Sequence, residues 1–172
     1  MGTTISRNIG IKKSKGEYIL ILDSDTIIPR GSIQQLIDSF KIIKSNRIGL
    51  IHPKLVYKDS TFQESARKFP SIKSKFYRLF NIEKLRTKTE SIDKVLNQEI
   101  CTVDYAISAA WILKRSVFED VGYLDENIFY APEDAEFCAR LWTHGYEVWY
   151  NPNITIIHDC QRVTNKNPFS KL

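Results

Sequence analysis

Glu17-Tyr18-Ile19-Leu20-Ile21-Leu22-Asp23-Ser24-Asp25 is the stretch on which the fold turns. Its unbroken apolar run predicts a strand covered on both faces, as in a parallel sheet between helices, because a half-solvated strand would alternate. The run stops abruptly at two carboxylates one residue apart. In open α/β sheets, ligands bind beyond the carboxyl ends of strands. Two like charges ~4 Å apart repel by roughly 4 kcal/mol at an effective dielectric near 20. A divalent cation such as Mg²⁺ or Mn²⁺ turns that repulsion into a hard-oxygen site with positions open for phosphate oxygens. The alternative is a polar turn in which Asp25 caps the residues that follow.

Working outward, Ser6 to Lys15 has the pattern of a helix with basic residues late, closed by Gly16. Pro29-Arg30-Gly31 is a turn. Ser32 and Gln35 then form a capping-box pattern ahead of Ile33, Leu36, Ile37, Phe40 and Ile43 on one helical face. Arg47 to Ile51 is a short strand ended by His52-Pro53, so the order is helix, strand, helix, strand, an α/β pattern. Residues 59–98 are the least regular, with Ile72, Phe76, Leu79 and Phe80 at helical spacing beside basic residues. Val103 to Lys114 is a strand region containing the small residues Ser108-Ala109-Ala110, and Asp120 to Asp125 is loop-like. Pro132 opens a helix through His144 with Glu133, Asp134 and Glu136 in its first turn. Tyr146–Tyr150 and Ile154–Ile157 are two short strands around an Asn151-Pro152-Asn153 turn, and the tail from Asn165 is loose.

Composition narrows the class. The 172 residues, 42% hydrophobic and 26% charged, suit one folded domain and exclude a fibrous or disordered chain. No stretch approaches the ~18–20 apolar residues of a membrane span. Cys101, Cys138 and Cys160 are an odd number without a C-x-x-C pair, which argues against a disulfide framework or structural zinc and for a cytoplasmic home. The +5 charge is concentrated: residues 67–94 hold nine basic and three acidic side chains, leaving the rest near neutral. Two readings of that segment stand: a solvated face, or a peripheral contact with an anionic membrane surface or a phosphate-bearing substrate. No nucleic-acid-reading motif accompanies it.

Three further positions carry candidate chemistry. Asp134, in the Glu133-Asp134 pair, is either a helix-terminus acid or a carboxylate placed to take a proton from a hydroxyl. His158, at a strand end, is either structural or a neutral imidazole completing a metal shell. Arg162 follows closely, and arginine suits bidentate phosphate contact. His52 and His144 suggest only surface or packing roles.

The ordered set of segments resembles the family 2 glycosyltransferases, an inverting group with the GT-A fold, especially their bacterial rhamnosyltransferase-type members. Carrying the resemblance are Arg7-Asn8-Ile9-Gly10-Ile11, Gly16-Glu17-Tyr18-Ile19 running into Leu22-Asp23-Ser24-Asp25, and His52-Pro53-Lys54-Leu55. Trp111 to Arg115, Val121 to Glu126, Tyr130-Ala131-Pro132-Glu133-Asp134, Arg140-Leu141, Gly145 to Val148 and His158 continue it in order. It spans nearly the whole chain except residues 59–98.

The resemblance implies a mixed, mostly parallel sheet flanked by helices in a partial domain over residues 1–164. The first β-α-β unit of the family, ~30 residues, has no counterpart here. It implies Asp23 and Asp25 as the metal-binding D-x-D, Asp134 as catalytic base, His158 as a further metal ligand, and Arg7 near the nucleotide. Arg162 would be a diphosphate contact. It departs from the Q-x-x-R-W pattern of processive members, since Gln161 and Arg162 are adjacent, so transfer of a single sugar is expected. A nucleotide-diphospho-sugar donor, a glycan or lipid-linked acceptor and a Mg²⁺ or Mn²⁺ ion complete the expectation, with residues 67–94 as a contact to the inner face of the plasma membrane. Two alternatives stand beside it: an inactive sugar- or membrane-binding remnant, and a haloacid-dehalogenase-type phosphatase with Asp23 as nucleophile, suggested by Asp23-Ser24-Asp25-Thr26.

Overall fold

The computed structural model describes residues 2–71, 88–129 and 132–159. The helices that lie wholly within these residues are α1 (Thr3–Lys13), α2 (Ser32–Ile42), α3 (Asp93–Leu96), α4 (Arg115–Val121) and α5 (Glu133–Thr143). The strands are β1 (Tyr18–Leu22), β2 (Thr26–Ile27), β3 (Ile48–Val56), β4 (Phe62–Gln63), β5 (Ala66–Arg67), β6 (Cys101–Thr102), β7 (Tyr105–Ala106), β8 (Ala110–Lys114) and β9 (Glu147–His158). The main sheet runs β1-β8-β3-β9-β2, with β4 added to β3 and β6 to β9; β5 and β7 pair separately.

The sheet is mixed, as expected, but among the described residues only β3 and β9 run parallel; β1 pairs with β8 antiparallel, Tyr18 opposite Lys114 through Leu22 opposite Ala110. The apolar run of β1 reports two covered faces and says nothing about the direction of its neighbour. Its faces are indeed both covered. Ile19 and Ile21 join one buried cluster with Ile11, Phe118, Phe137 and Leu141. Tyr18, Leu20 and Leu22 pack on a second cluster containing Leu36, Ile51 and Ile156. Helices α1, α4 and α5 therefore cover one face of the sheet and α2 the other.

Several local expectations shift. Helix α1 ends at Lys13 with Ser14 as its C-cap, so Gly16 lies beyond the cap. The N-cap of α2 is Gly31 at φ 87°, a left-handed conformation natural to glycine, and Ser32 is the first helical residue without a capping side chain. Val103 to Lys114 is divided between the end of one loop, β7 and β8. Residues 115–121 form α4, whose Val117, Phe118 and Val121 are buried; seven residues are too few for a legible helical period. The amphipathic pattern at residues 72–80 lies outside the described residues.

The largest difference is at the ends of the parallel pair. Pro53 does not stop β3, and Asn151-Pro152-Asn153 does not split β9 into two strands. Pairing passes from Pro53 opposite Asn151 directly to Lys54 opposite Thr155, leaving Pro152, Asn153 and Ile154 of β9 without partners on β3. This bulge tolerates the missing N–H of proline, which a regular ladder would not. Asn151 organises it, accepting from the Asn153 N–H at 3.1 Å and donating to Ser39 Oγ of α2 at 2.9 Å. Across the bulge the even-numbered residues change sides: Val148 and Tyr150 belong to the first cluster, Ile154 and Ile156 to the second.

Candidate functional site

Beyond Leu22 the chain turns at once. The Asp23 N–H donates to the Ala109 carbonyl at 3.0 Å, and the Thr26 hydroxyl donates to the Asp23 carbonyl at 2.8 Å. Thr26 then pairs with His158, and the Asp159 N–H donates to the Asp25 carbonyl at 2.9 Å. Short strand β2 thus holds the two aspartates against the end of β9. His158 Nε2 lies 3.4 Å from Asp25 Oδ1 and 3.9 Å from Asp23 Oδ2. One ligand atom from each of the three residues falls within 4.8 Å of the others. Two carboxylate oxygens and an imidazole nitrogen at that separation are a donor set suited to a hard divalent cation.

Helix α1 supplies the opposing charge. Arg7 Nη2 donates to Asp23 Oδ1 at 2.5 Å, and Nη1 donates to Ser108 Oγ at 2.7 Å and to Glu133 Oε1 at 3.3 Å. The neighbouring residue points elsewhere, as successive helical side chains must. Asn8, buried, donates to the Leu124 carbonyl and accepts from the Leu124 N–H, fastening the loop after α4. Thr4 Oγ1 donates to the Ile128 carbonyl and the Thr3 N–H to that of Phe129, which carry the chain toward α5.

Helix α5 presents its first turn to the same place. Its inner face is anchored by Phe137, stacked at 5.4 Å on Phe118 and at 5.8 Å on Trp111. Burying a phenylalanine contributes about 1.5–3 kcal/mol, so the helix start is well fixed. Glu133 is buried and engaged by Arg7 and Ser108. Asp134 is partly buried; its Oδ1 accepts only the adjacent Ala135 N–H among the hydrogen bonds described. Burial raises its carboxyl above the usual range, the Ala135 N–H opposes that, and the Glu133 carboxylate adds to it. A carboxylate so placed holds a proton more readily than an ordinary aspartate.

Arg7, Asp23, Ser108, Glu133, Asp134 and His158 all line one cavity of about 310 Å³, with Thr3, Ile107 and Ala109. The residues singled out in the sequence therefore converge, with Asp25 joined through His158. Arg162 lies outside the described residues. Sequence reasoning missed Ser108 as a polar contact of Arg7, and Gln63, whose Oε1 lies 3.0 Å from His158 Nδ1. Small residues at 108–110 were a signal for the first; nothing local marked the second. His52 is fully buried: its Nδ1–H donates to the Ala110 carbonyl and Nε2 accepts from Ser65 Oγ.

The chain is similar to several known proteins. Over 160 residues it is 28% identical to the dTDP-rhamnosyl transferase RfbF of Shigella flexneri, covering 91% of this chain and 48% of that one. It is 25% identical to the N-acetylglucosaminyl-diphospho-decaprenol L-rhamnosyltransferase of Mycobacterium tuberculosis, covering 91% and 51%. The chain thus spans about half the length of these relatives. Among solved structures it superposes on GalNAc-T7 with UDP, GalNAc and Mn²⁺ at a TM-score of 0.63 and 16% identity, over 91% of this chain and 30% of that one. The mannosyltransferase PcManGT from Pyrobaculum calidifontis, in complex with GDP-Man and Mn²⁺, matches at 0.56 and 15%, over 94% and 38%. Residues 1–122 match the family described as Glycosyl transferase family 2. The chain therefore belongs to glycosyltransferase family 2 and has the GT-A fold.

Proposed function

We propose that the protein containing this chain moves a sugar from a nucleotide-diphospho-sugar to a hydroxyl of a cell-surface polysaccharide or lipid-linked acceptor, in one inverting displacement. The observation that carries the reading is the convergence of Asp23, His158, Arg7 and Asp134 around a single cavity, with Asp25 beside His158. The relatives' names, two of them rhamnosyltransferases, support the donor and acceptor classes.

Charge supports the order of events. Asp23, Glu133 and Asp134 line the cavity with one guanidinium, and Asp25 stands beside His158, an environment that repels a diphosphate. A divalent cation on Asp23, Asp25 and His158, Mg²⁺ or Mn²⁺, would invert that local field and neutralise charge on the departing nucleoside diphosphate. Arg7 lies beside Asp23 and would meet the donor's phosphates next to that site; Arg162 is proposed as a second diphosphate contact. Asp134 takes the proton of the acceptor hydroxyl as its oxygen bonds to the anomeric carbon and the bond from that carbon to the diphosphate oxygen breaks. The raised affinity of Asp134 for a proton suits it to this task.

The test is release of nucleoside diphosphate from a panel of dTDP-, UDP- and GDP-sugars, with and without Mn²⁺ or Mg²⁺. Turnover that needs the cation and collapses in Asp25→Ala is expected. Failure to bind any sugar nucleotide, or turnover of a generic aryl phosphate in its place, would overturn the reading.

A further inference from the structure

His158 can serve a cation only if its Nε2 carries a lone pair, and neutral imidazole has one N–H to place on either nitrogen. Two environments compete for that proton. On the Nε2 side, the carboxylates of Asp25 and Asp23 stand at 3.4 and 3.9 Å and favour an N–H directed at them. On the Nδ1 side, Gln63 Oε1 stands at 3.0 Å, in the range of a formed hydrogen bond, and an amide oxygen only accepts.

Gln63 is itself held firmly. It lies on β4, paired with Leu55 of β3, which in turn pairs with Ile156 two residues before His158. The Tyr57 N–H closes the β3–β4 turn on the Thr61 carbonyl at 2.9 Å. Both side chains are buried, Gln63 at 8% exposure and His158 at 6%, so water does not readily substitute for either partner.

We propose that Gln63 is a positioning residue that holds His158 as the Nδ1–H tautomer, leaving the Nε2 lone pair aimed at Asp23 and Asp25 before any cation binds. The inference deepens the metal-site reading given above and rests on it for its functional meaning. Such partners on the far nitrogen of a ligating histidine fix both tautomer and ring orientation.

The experiment is ¹⁵N NMR of the metal-free protein at pH 8, with His158→Ala identifying the His158 signals, followed by Mn²⁺ titration. In the unaltered protein Nε2 is expected to show the resonance of an unprotonated nitrogen. Gln63→Leu is expected to move the proton to Nε2 and weaken Mn²⁺ binding by about 10–100-fold. Gln63→Glu, which keeps an acceptor in place, retains the original tautomer and controls for damage to the fold. A protonated Nε2 in the unaltered protein, the result if the Gln63 amide were turned the other way, overturns the proposal. So does an unchanged tautomer in Gln63→Leu. The expected tautomers without any Mn²⁺ binding would uphold the role of Gln63 and sink the metal reading instead.

Discussion

Arg7 bonds Asp23 in the lining of the cavity, the arginine side chain 12% exposed and the aspartate side chain 35% exposed. The protein thus places a fixed cation on one of the two carboxylates that a divalent ion would share. Arg7 and such an ion would compete for Asp23, and either would compensate the repulsion between Asp23 and Asp25. Arg7→Met is expected to raise Mn²⁺ affinity several-fold while weakening sugar-nucleotide binding. Calorimetric titration of each ligand checks it; a weakened Mn²⁺ affinity would show that Arg7 supports the site by packing and not by charge.

Asp134→Asn is expected to lower transfer by ~10²–10⁴-fold, the usual contribution of a positioned proton acceptor. Its melting temperature should match or exceed that of the parent, because a partly buried carboxylate is replaced by a neutral amide. Full activity in this variant would assign the base elsewhere.

The pH profile carries a separate signature. A base must be deprotonated, and burial raises the Asp134 carboxyl, so kcat/KM should fall with decreasing pH already above the ordinary carboxylate range. Glu133→Gln removes a neighbouring negative charge that contributes to the rise, and the acidic limb should move to lower pH. A limb unmoved by that change would make desolvation the whole cause.

Mn²⁺ should stabilise the folded chain. At a concentration 100 times its dissociation constant, a ligand of the native state alone adds about 2.7 kcal/mol. Thermal melts should rise with Mn²⁺ in the unaltered protein and lose the response in Asp25→Ala. An equal rise in both would place the ion elsewhere.

His52 predicts a pH-dependent stability independent of catalysis. Burial lowers its pKa from 6.5 to about 4, outweighing the hydrogen bond to Ala110. Between those values the unfolded chain takes up a proton that the native one does not. Stability is therefore full above pH 6.5 and falls as the pH drops toward 4, by up to about 1.4 kcal/mol per pH unit. Urea unfolding of His52→Gln should show a flatter dependence across that window.

Gly49 illustrates a purely steric constraint. A Cβ there would sit 2.7 Å from Tyr146 Cβ and 3.1 Å from Leu141 Cδ2, both packed at the start of the β3–β9 pair. Gly49→Ala should cost about 1–3 kcal/mol, as overpacking does, measured by denaturant midpoint.

Much of this site was legible in the residues because its parts lie at element ends, where composition changes sharply. The apolar run before Asp23, the Pro before Glu133 and the β-rich run before His158 each located a carboxylate or imidazole at the edge of the sheet. What stayed hidden depends on partners distant in the chain. The direction of β8 beside β1 is set by a connection of nearly ninety residues (Leu22 to Ala110), not by the apolar pattern. Pro53 and Asn151-Pro152-Asn153 look like breakers in the sequence because a local rule cannot see a neighbouring strand that accommodates a bulge. Gln63 could not have been found, since it meets His158 across a separation of 95 residues.

The bulge in β9 has a consequence for anyone altering this protein or aligning it with another. Side chains along a strand alternate, so an odd number of unpaired residues reverses their sense, and Pro152-Asn153-Ile154 are three. Shortening that loop-out by one residue, with the chain beyond it keeping its alternation, would turn Ile156 and the imidazole at 158 together to the opposite side of the sheet. The identity of the histidine would survive in any sequence comparison, while the ring itself would no longer reach the acids.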